Sequence, residues 1–184
     1  DVNISVKNLE TDRLVLRAWQ ESDLEFLEYA SVPVVGEMAG WPISLEETKK
    51  ILSFFIAGEE VFAIVYKENG KAIGSLGIHE SWANQEEEYK DLRVKEIGYS
   101  LSRDYWGRGL VPEAAQKVID IFFQENLLEA FTANHFSFNN QFRRVIEKCW
   151  FRFLKRAEIY LQQTGKTYEA LRYILYKKDW EGQK

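Results

Sequence analysis

The sequence predicts an α/β (α+β) fold: a central, mixed, mostly antiparallel twisted sheet of about seven strands, flanked by about four helices. Short segments of alternating apolar and polar residues recur along the chain, with amphipathic helical segments between them. The turn signals Asn69-Gly70 and Thr164-Gly165-Lys166 join two pairs of predicted strands, which must then run antiparallel. No repeat or linker divides the chain, so we expect one domain over 1–184, with tails at about 1–10 and 180–184.

The first third of the chain predicts one strand and two helices. Alternation over 14–18 predicts the opening strand. Ser22-Asp23-Leu24-Glu25 and Ser44-Leu45-Glu46-Glu47 match the capping box, so each predicts a helix N-terminus. Between them, 31–43 contains two glycines and two prolines and predicts a loop.

The middle of the chain predicts a hairpin, a loop and then a strand that leads into a helix. The hairpin strands are 61–66 and 71–78, and the polar, acidic segment 80–91 predicts an exposed loop. A strand at 96–101 follows, and a helix begins near Val111-Pro112. Its predicted buried stripe is Val111, Ala114, Ala115, Val118, Ile121 and Phe122, with an exposed i,i+4 pair of Glu113 and Lys117.

The last third of the chain predicts a strand, a helix and a closing hairpin. The strand is 127–133, and the helix is 139–148 with Val145, Ile146 and Cys149 facing inward. The hairpin strands are 151–161 and 168–176. Helices and hairpins together therefore favour a mixed sheet over a purely parallel one.

The composition excludes several classes of protein. Hydrophobic residues make up 46% and charged residues 29% of the 184 positions, which is typical of a globular protein. There is no apolar run of about 18 residues and no signal-peptide pattern, so we expect a cytoplasmic protein without a membrane span. One cysteine and two histidines argue against an internal disulfide and a structural metal site. The net charge of -5 argues against nucleic acid as the main partner.

The turn Trp106-Gly107-Arg108-Gly109 is the first candidate functional element. Two glycines directly before a helix expose backbone amides, and the helix dipole adds partial positive charge. Pro112 fits the first helical turn, where its missing N–H has no partner to lose. This arrangement predicts a phosphate or pyrophosphate site without a metal, although a plain tight turn would use the same glycines.

Three segments together resemble the GNAT superfamily of acetyl-CoA-dependent N-acetyltransferases, and within it the ribosomal-protein N-terminal acetyltransferases. The first is Thr11-Asp12-Arg13-Leu14-Val15-Leu16-Arg17, which is similar to the opening strand of that branch. The second combines Glu96-Ile97-Gly98-Tyr99 with Tyr105 to Leu110 and Glu113-Ala114. The third is Asn139 with Arg144 to Cys149 and Phe151. Their order and spacing match the family over nearly the whole chain.

The resemblance implies acetyl-CoA as co-substrate, without a metal. Pantetheine would pair with the strand backbone, pyrophosphate would lie on the turn amides near the Arg108 charge, and Asn139 would contact the pantetheine arm. Asn also favours helix N-caps, and both roles are compatible. The implied coenzyme contacts are Tyr99, Ser100, Leu101, Trp106, Gly107, Arg108, Gly109, Leu110, Val111 and Asn139.

The sequence also departs from the family pattern. Val111 stands where the family turn has Gly or Ala, and Trp150 where a Gly follows the helix. Phe142 and Ile146 occupy the positions of a Ser or a Tyr that would protonate the departing thiolate. A thiolate with a pKa of about 8.5 is a fair leaving group, so the missing acid does not exclude catalysis.

Glu96 is the candidate general base, acting through one water; a salt-bridged strand carboxylate is the alternative. The Tyr99 N–H is a candidate contact for the carbonyl oxyanion, and Ser100 is a weaker catalytic candidate. His79 is a candidate acceptor-side residue, with a surface or core histidine as the alternative. Met38 and Trp41 are substrate candidates or covers over the core.

The predicted function is direct acetyl transfer to an amine. The acceptor is a peptide N-terminal α-amine or a small-molecule amine, and the protein is a monomer or a homodimer. Two alternatives remain open: a non-catalytic coenzyme A sensor on the same fold, and an interaction domain that binds no coenzyme.

Overall fold

A computed structural model describes residues 8–24, 61–162 and 164–183, which contain one eight-stranded sheet and three α-helices. The strands are β1 (Leu9–Glu10), β2 (Leu14–Arg17), β3 (Val61–Tyr66), β4 (Lys71–Glu80), β5 (Val94–Leu101), β6 (Ala130–Phe136), β7 (Arg152–Leu161) and β8 (Lys166–Tyr176). The helices are α1 (Leu110–Gln124), α2 (Asn140–Lys148) and α3 (Lys177–Glu181). Their order in the sheet is β1-β2-β3-β4-β5-β6-β8-β7.

Every neighbouring pair in the sheet is antiparallel except β5 and β6, which are parallel. The predicted class, a mixed and mostly antiparallel sheet flanked by helices, is confirmed. The helix after Ser44, the loop over 31–43, and the residues Met38 and Trp41 lie outside the described residues.

The main core lies between one face of the sheet and α1. Alternate residues of β2, β4, β5 and β6 meet the apolar stripe of α1 and are almost fully buried, among them Leu14, Leu16, Leu76, Ile78, Ile97 and Phe131. The α1 stripe includes Ile119 and Phe123, each 1% exposed or less, whereas Ile121 is only half-buried. The stripe is therefore rotated slightly from the predicted one. Trp180, at the start of the expected C-terminal tail, packs against Phe123 and is buried.

The parallel pair β5–β6 separates along its length, and this creates the site. The register pairs Val94 with Ala130 and Glu96 with Thr132, and pairing ends there. Both strands continue, β5 to Leu101 and β6 to Phe136. The sheet therefore opens into a gap between the second halves of the two strands.

Two predictions about side chains need correction. The 80–91 segment is not wholly exposed, because Ala83 and Tyr89 are buried beside Val94 and Ile174 in a second small core. Glu113 does not pair with Lys117; its carboxylate binds Arg13.

The first helical turn also begins earlier than predicted. A 3₁₀ turn spans Glu21–Asp23, and the Asp23 carboxylate accepts the Gln20 amide and the Arg17 guanidinium. The sequence predicts Ser22 as the capping residue, but Gln20 is the N-cap, and Asp23 at N3 completes the capping box by accepting the Gln20 amide. The ion pair with Arg17 holds the same carboxylate.

Candidate active site

The gap between β5 and β6 is continuous with a cleft at the start of α1 and α2. The carbonyl oxygen of Arg93, just before β5, accepts a hydrogen bond from the Glu129 N–H, just before β6, at 2.8 Å. The N–H and C=O groups of alternate residues in a strand point to opposite sides. Since the Arg93 carbonyl points toward β6, the N–H and C=O groups of Ile97, Tyr99 and Leu101 point into the gap. The cleft is lined by Tyr99, Ser100, Leu101, Tyr105, Trp106, Gly107, Gly109, Leu110, Val111, Pro112, Asn139, Phe142, Arg144, Val145 and Lys148.

The glycine turn before α1 has the backbone geometry that only glycine adopts easily. Gly107 has φ 78°, and Gly109, the N-cap of α1, has φ 73° and ψ 19°. A Cβ on Gly107 would meet no atom within 4 Å, so the positive φ and not crowding calls for glycine there. The turn leaves amides open at a helix N-terminus, which is suited to an anion.

Basic side chains surround this turn, but Arg108 is not the one that faces the cleft. Its guanidinium lies over the Tyr105 ring, 5.0 Å from the centroid, and donates to the Asp104 carbonyl oxygen. Lys148 does line the cleft, and its Nζ lies 3.9 Å from where a Cβ on Gly109 would be. Arg144, one helical turn earlier on α2, lines the cleft too.

Arg13 holds the turn from the opposite side. Its Nη1 donates to the Arg108 carbonyl oxygen at 2.9 Å, and its Nε donates to Glu113 Oε1 at 2.8 Å. The Glu113 carboxylate also accepts the Thr11 hydroxyl and the Arg13 amide. Burial acts to raise the pKa of Glu113, but these hydrogen bonds outweigh it and the pKa is lowered.

Asn139 is the N-cap residue of α2, yet its side chain makes no capping hydrogen bond. The residue is 2% exposed, lines the cleft, and its Oδ1 is buried without a hydrogen-bond partner. Leaving a buried acceptor unsatisfied costs about 1–3 kcal/mol. The side chain is therefore poised to accept a hydrogen bond from a ligand in the cleft.

Tyr99 lies where this first cleft meets a second cleft. Its hydroxyl donates to the Phe142 carbonyl oxygen at 3.1 Å, and its ring packs edge-on against Phe142 at 4.5 Å between centroids. Burial raises the pKa of the Tyr99 phenol well above its ordinary value, so it stays protonated. Ile146, at the position of the family tyrosine, is 1% exposed and belongs to the core.

The second cleft lies on the other side of the strand gap. It is lined by Val61, Ser75, Gly77, His79, Glu96, Ile97, Gly98, Tyr99, Ser100, Asn134, His135, Phe136 and Phe142. Tyr99, Ser100 and Phe142 line both clefts. The two clefts therefore meet, and a group lying in one can reach the other at these three residues.

Glu96 is the carboxylate of this second cleft. Its Oε1 accepts the Thr132 hydroxyl at 2.8 Å, and its Oε2 accepts the Asn134 amide. Burial raises the pKa of the Glu96 carboxyl, while the bonds from Thr132 and Asn134 and the charge of Arg172 act to lower it. The charge of Arg172 contributes less to the pKa of Glu96 than the hydrogen bonds from Thr132 and Asn134 do.

The two serines and the second histidine of this cleft have structural partners. The Ser100 hydroxyl is hydrogen-bonded to that of Ser75 at 2.8 Å, and both residues are buried. His135 is 3% exposed, with Nδ1 2.7 Å from the Phe136 carbonyl oxygen and Nε2 3.0 Å from the Tyr173 hydroxyl. Burial lowers the pKa of His135, so both of its nitrogens serve as structural hydrogen-bond partners of a neutral ring.

The structure thus gathers most of the predicted coenzyme residues at one cleft, and Glu96 and His79 at the other. Cys149 is 1% exposed, and burial raises its pKa to about 12, in line with the predicted core role. Sequence reasoning did not find Arg13, Arg144 and Lys148. The i,i+4 spacing of Arg144 and Lys148 was the available signal, since it places both side chains on one side of α2.

Two further observations concern only the described part of the chain. No group of three or more His, Cys, Asp or Glu side chains there is arranged to hold a metal ion. Within the same residues, no helix has the length and apolarity needed to cross a membrane.

A family model described as acetyltransferase (GNAT) domain matches residues 13–152 of this chain. The chain is 26% identical over 185 residues to the uncharacterized N-acetyltransferase p20 of Bacillus licheniformis, covering 96% of this chain and 100% of that protein. It is 30% identical over 92 residues to the putative ribosomal N-acetyltransferase YdaF of Bacillus subtilis, covering 50% of each.

Solved structures share the fold at low sequence identity. An acetyltransferase (GNAT family) from Bacillus anthracis has a TM-score of 0.78 at 21% identity, covering 94% of this chain and 99% of that one. The microcin C7 self-immunity acetyltransferase MccE, in complex with acetyl-CoA and AMP, has a TM-score of 0.71 at 19% identity. That match covers 90% of this chain and 93% of MccE.

Proposed function

Since the chain belongs to the GNAT acetyltransferase family, we propose that it transfers an acetyl group from acetyl-CoA directly to an amine. The meeting of two clefts at Tyr99, Ser100 and Phe142 carries this proposal. One cleft has the residues for a phosphate-bearing ligand, and the other has the residues for an amine. Direct transfer needs such a junction, because the two substrates must meet.

The first cleft fits acetyl-CoA. The amides before α1 and the charge of Lys148 would hold the pyrophosphate, and the backbone of Tyr99 and Leu101 would hold the pantetheine arm. Asn139 would satisfy its unpartnered Oδ1 on an amide of that arm. When bound, acetyl-CoA supplies a thioester carbonyl as the acetyl donor. The structure of MccE in complex with acetyl-CoA supports this choice of ligand.

Glu96 is the proposed base. An amine must lose a proton to form an amide, and a carboxylate with a raised pKa takes a proton more readily than an ordinary one. Thr132 and Asn134 hold the two carboxylate oxygens in a fixed orientation. The Tyr99 N–H, directed to the gap, is the proposed donor to the carbonyl oxygen as negative charge develops on it.

The proposed acceptor is an α-amine of a peptide, with a small amine of similar basicity as the second choice. At pH 7, neutralising a lysine amine costs about 4–5 kcal/mol, whereas an α-amine costs only about 1–1.5 kcal/mol. A single carboxylate acting through water suffices for the smaller cost. The similarity to a putative ribosomal N-acetyltransferase supports the same class of acceptor.

Two experiments test the proposal in sequence. Isothermal titration with acetyl-CoA and with CoA should show saturable binding; absence of both would exclude the enzyme and the sensor alike. A panel of free-amine peptides and small amines, followed by thiol release, should then reveal acetyl transfer. Glu96→Gln should lower the transfer rate with little change in acetyl-CoA affinity, and unchanged turnover would rule out Glu96 as the base.

The second candidate function is a non-catalytic coenzyme A sensor. Phe142 and Ile146 favour it, because neither side chain can protonate a departing thiolate. A sensor would bind acetyl-CoA in the titration but release no thiol with any amine of the panel. The raised pKa of Glu96 in the second cleft favours the enzyme, since a sensor has no need of a base there.

A further inference from the structure

His79 occupies an unusual position on the floor of the second cleft. It lies in β4, where it is the cross-strand neighbour of Glu96 in β5. The next pair on the same face is Gly77 with Gly98, and the one after it is Ser75 with Ser100. One face of the β4–β5 ladder therefore carries, in order, His79 with Glu96, two glycines, and two serines.

The His79 ring fills the space that the two glycines leave. A Cβ built on Gly77 would lie 2.4 Å from His79 Nε2 and 2.6 Å from Cε1. A Cβ built on Gly98 would lie 3.6 Å from Cδ2 and 3.8 Å from Nε2. The imidazole therefore leans back along the strand, and its Nε2 end rests over the glycine pair.

This position places two proton acceptors on opposite sides of the same floor. The Glu96 carboxylate is turned to the β6 side, where Thr132 and Asn134 hold it. The imidazole lies over the glycines of β4 and β5, toward the junction with the first cleft. His79 is exposed and lines the cleft.

We propose that His79 orients the acceptor amine: its imidazole accepts a hydrogen bond from the amine across the cleft from Glu96. The proposal rests on the proposed acetyl-transfer function and adds the residue that selects the direction of the amine lone pair. The reacting nitrogen carries more than one hydrogen. Glu96 takes the one that is lost, and His79 holds another, so that the lone pair is aimed at the junction formed by Tyr99, Ser100 and Phe142.

The two glycines provide a matched pair of variants. Gly77→Ala places a methyl group on the Nε2 end of the ring, and the ring can swing away because it is the end of a flexible side chain. Gly98→Ala adds the same methyl group at the cross-strand partner of Gly77. That methyl group lies at ordinary van der Waals distance from the His79 ring and should leave the ring in place. Neither glycine has a positive φ, so alanine fits both backbones.

The experiment measures kcat/KM for the best acceptor in a panel of peptides and small amines headed by tetra-alanine and benzylamine. We expect His79→Ala and Gly77→Ala each to lower kcat/KM for the amine about tenfold, the value of one good hydrogen bond. The KM for acetyl-CoA should stay unchanged, and Gly98→Ala, whose methyl group lies at ordinary van der Waals distance from the ring, should lower kcat/KM for the amine less than Gly77→Ala does. The double variant Gly77→Ala/His79→Ala should be no worse than His79→Ala, because the first change acts only through the second residue.

Three results would overturn the proposal. His79→Ala could retain wild-type kcat/KM, Gly77→Ala and Gly98→Ala could lose the same amount, or the KM for acetyl-CoA could rise as much as that for the amine. If Gly77→Ala does not fold, His79→Gln, which keeps a hydrogen-bond acceptor, should recover part of the loss seen in His79→Ala, and no recovery overturns the proposal. A wild type that binds acetyl-CoA but acetylates no amine defeats the proposed function itself, and the role of His79 with it.

Discussion

Arg13 and Glu113 are 100 residues apart in the sequence, and their side chains join through a hydrogen bond of 2.8 Å from Nε to Oε1. The same guanidinium donates to the Arg108 carbonyl oxygen, so one side chain links β2, the glycine turn and the first turn of α1. Glu113 also accepts the Thr11 hydroxyl and the Arg13 amide. The proposed pyrophosphate turn is therefore braced by the opening strand of the chain.

Glu113→Gln should weaken this brace. The amide cannot accept all of the hydrogen bonds that the carboxylate accepts, so we expect the free energy of unfolding to fall by about 1 kcal/mol. The turn should become looser, and acetyl-CoA affinity should fall several-fold. Urea unfolding and isothermal titration measure the two effects. Because the pKa of Glu113 is lowered, its contribution to stability is present above about pH 4.3 and is lost as pH falls through the lowered pKa.

Glu147→Gln is the matched control for this change. Glu147 pairs with Arg143 on the same kind of helix surface, but both side chains are about 60% exposed, at 61% and 62%. Such a pair contributes between about 0 and 1 kcal/mol. Acetyl-CoA affinity should not change in this control. Wild-type affinity in a destabilised Glu113→Gln variant would mean that the brace supports the fold but not the turn.

Asn139→Ala tests the unpartnered oxygen in the first cleft, the proposed acetyl-CoA site. Since Oδ1 is buried without a partner and the side chain makes no capping bond, removing it should not destabilise the free protein. With acetyl-CoA, the variant should bind about tenfold more weakly and show a smaller rise in melting temperature. A thermal shift series with increasing acetyl-CoA measures both quantities.

Asn84→Ala is the comparison for that experiment. The Asn84 amide donates to the Leu92 carbonyl oxygen and the residue does not line the cleft, so its loss should lower the melting temperature but leave the ligand-induced shift intact. The opposite pattern, in which Asn139→Ala destabilises the free protein and binds normally, would assign Asn139 a structural role.

Cys149 should be unreactive in the native protein. Burial raises its pKa to about 12. Since pH 8 is about four units below this pKa, only about one thiol in ten thousand is ionised at that pH. We expect iodoacetamide to label the native protein very slowly and the urea-unfolded protein rapidly. Cys149→Ala should keep acetyl transfer. Fast native labelling, or loss of transfer in this variant, would mean that Cys149 takes part in the reaction and is not only a core residue.

The elements that the sequence predicted well are those fixed by local backbone chemistry. Gly70 and Gly165 both have positive φ, at 68° and 66°, so the turn signals at each hairpin reflect a real backbone demand. Trp150 also has a positive φ, although it is not a glycine. It adopts φ 65° where the family has Gly, and the Phe151 amide still bonds to the Ile146 carbonyl oxygen to close the end of α2.

The parts that the sequence did not predict depend on contacts between distant elements. Arg13 reads as an ordinary strand-end charge, and only the fold brings it to the glycine turn. Glu113 has a plausible local partner in Lys117, which is why the local rule failed there. The sequence also did not predict the glycine pair under the His79 ring. Gly77 and Gly98 are 21 residues apart and become neighbours only through the β4–β5 register.

The negative charge of the Glu96 carboxylate should lower the free energy of unfolding of the protein. Burial raises the pKa of Glu96 in the folded protein, so ionisation is harder in the folded than in the unfolded state. The sign follows: below the unfolded-state pKa of about 4.3 the residue is neutral in both states and carries no penalty. As pH rises from there through the raised pKa, the folded protein loses stability relative to a variant that cannot ionise.

Glu96→Gln should therefore be more stable than the wild type at pH 7, with a difference that shrinks toward zero near pH 4. Urea unfolding at several pH values measures this difference. Thr132→Val is the control, because it removes one hydrogen bond to the carboxylate but keeps the charge, and should destabilise the folded protein most at neutral pH. Stability that is the same in Glu96→Gln and wild type from pH 4 to 8 would mean that Glu96 is not desolvated. The case for it as a base of raised pKa would then fail with the same data.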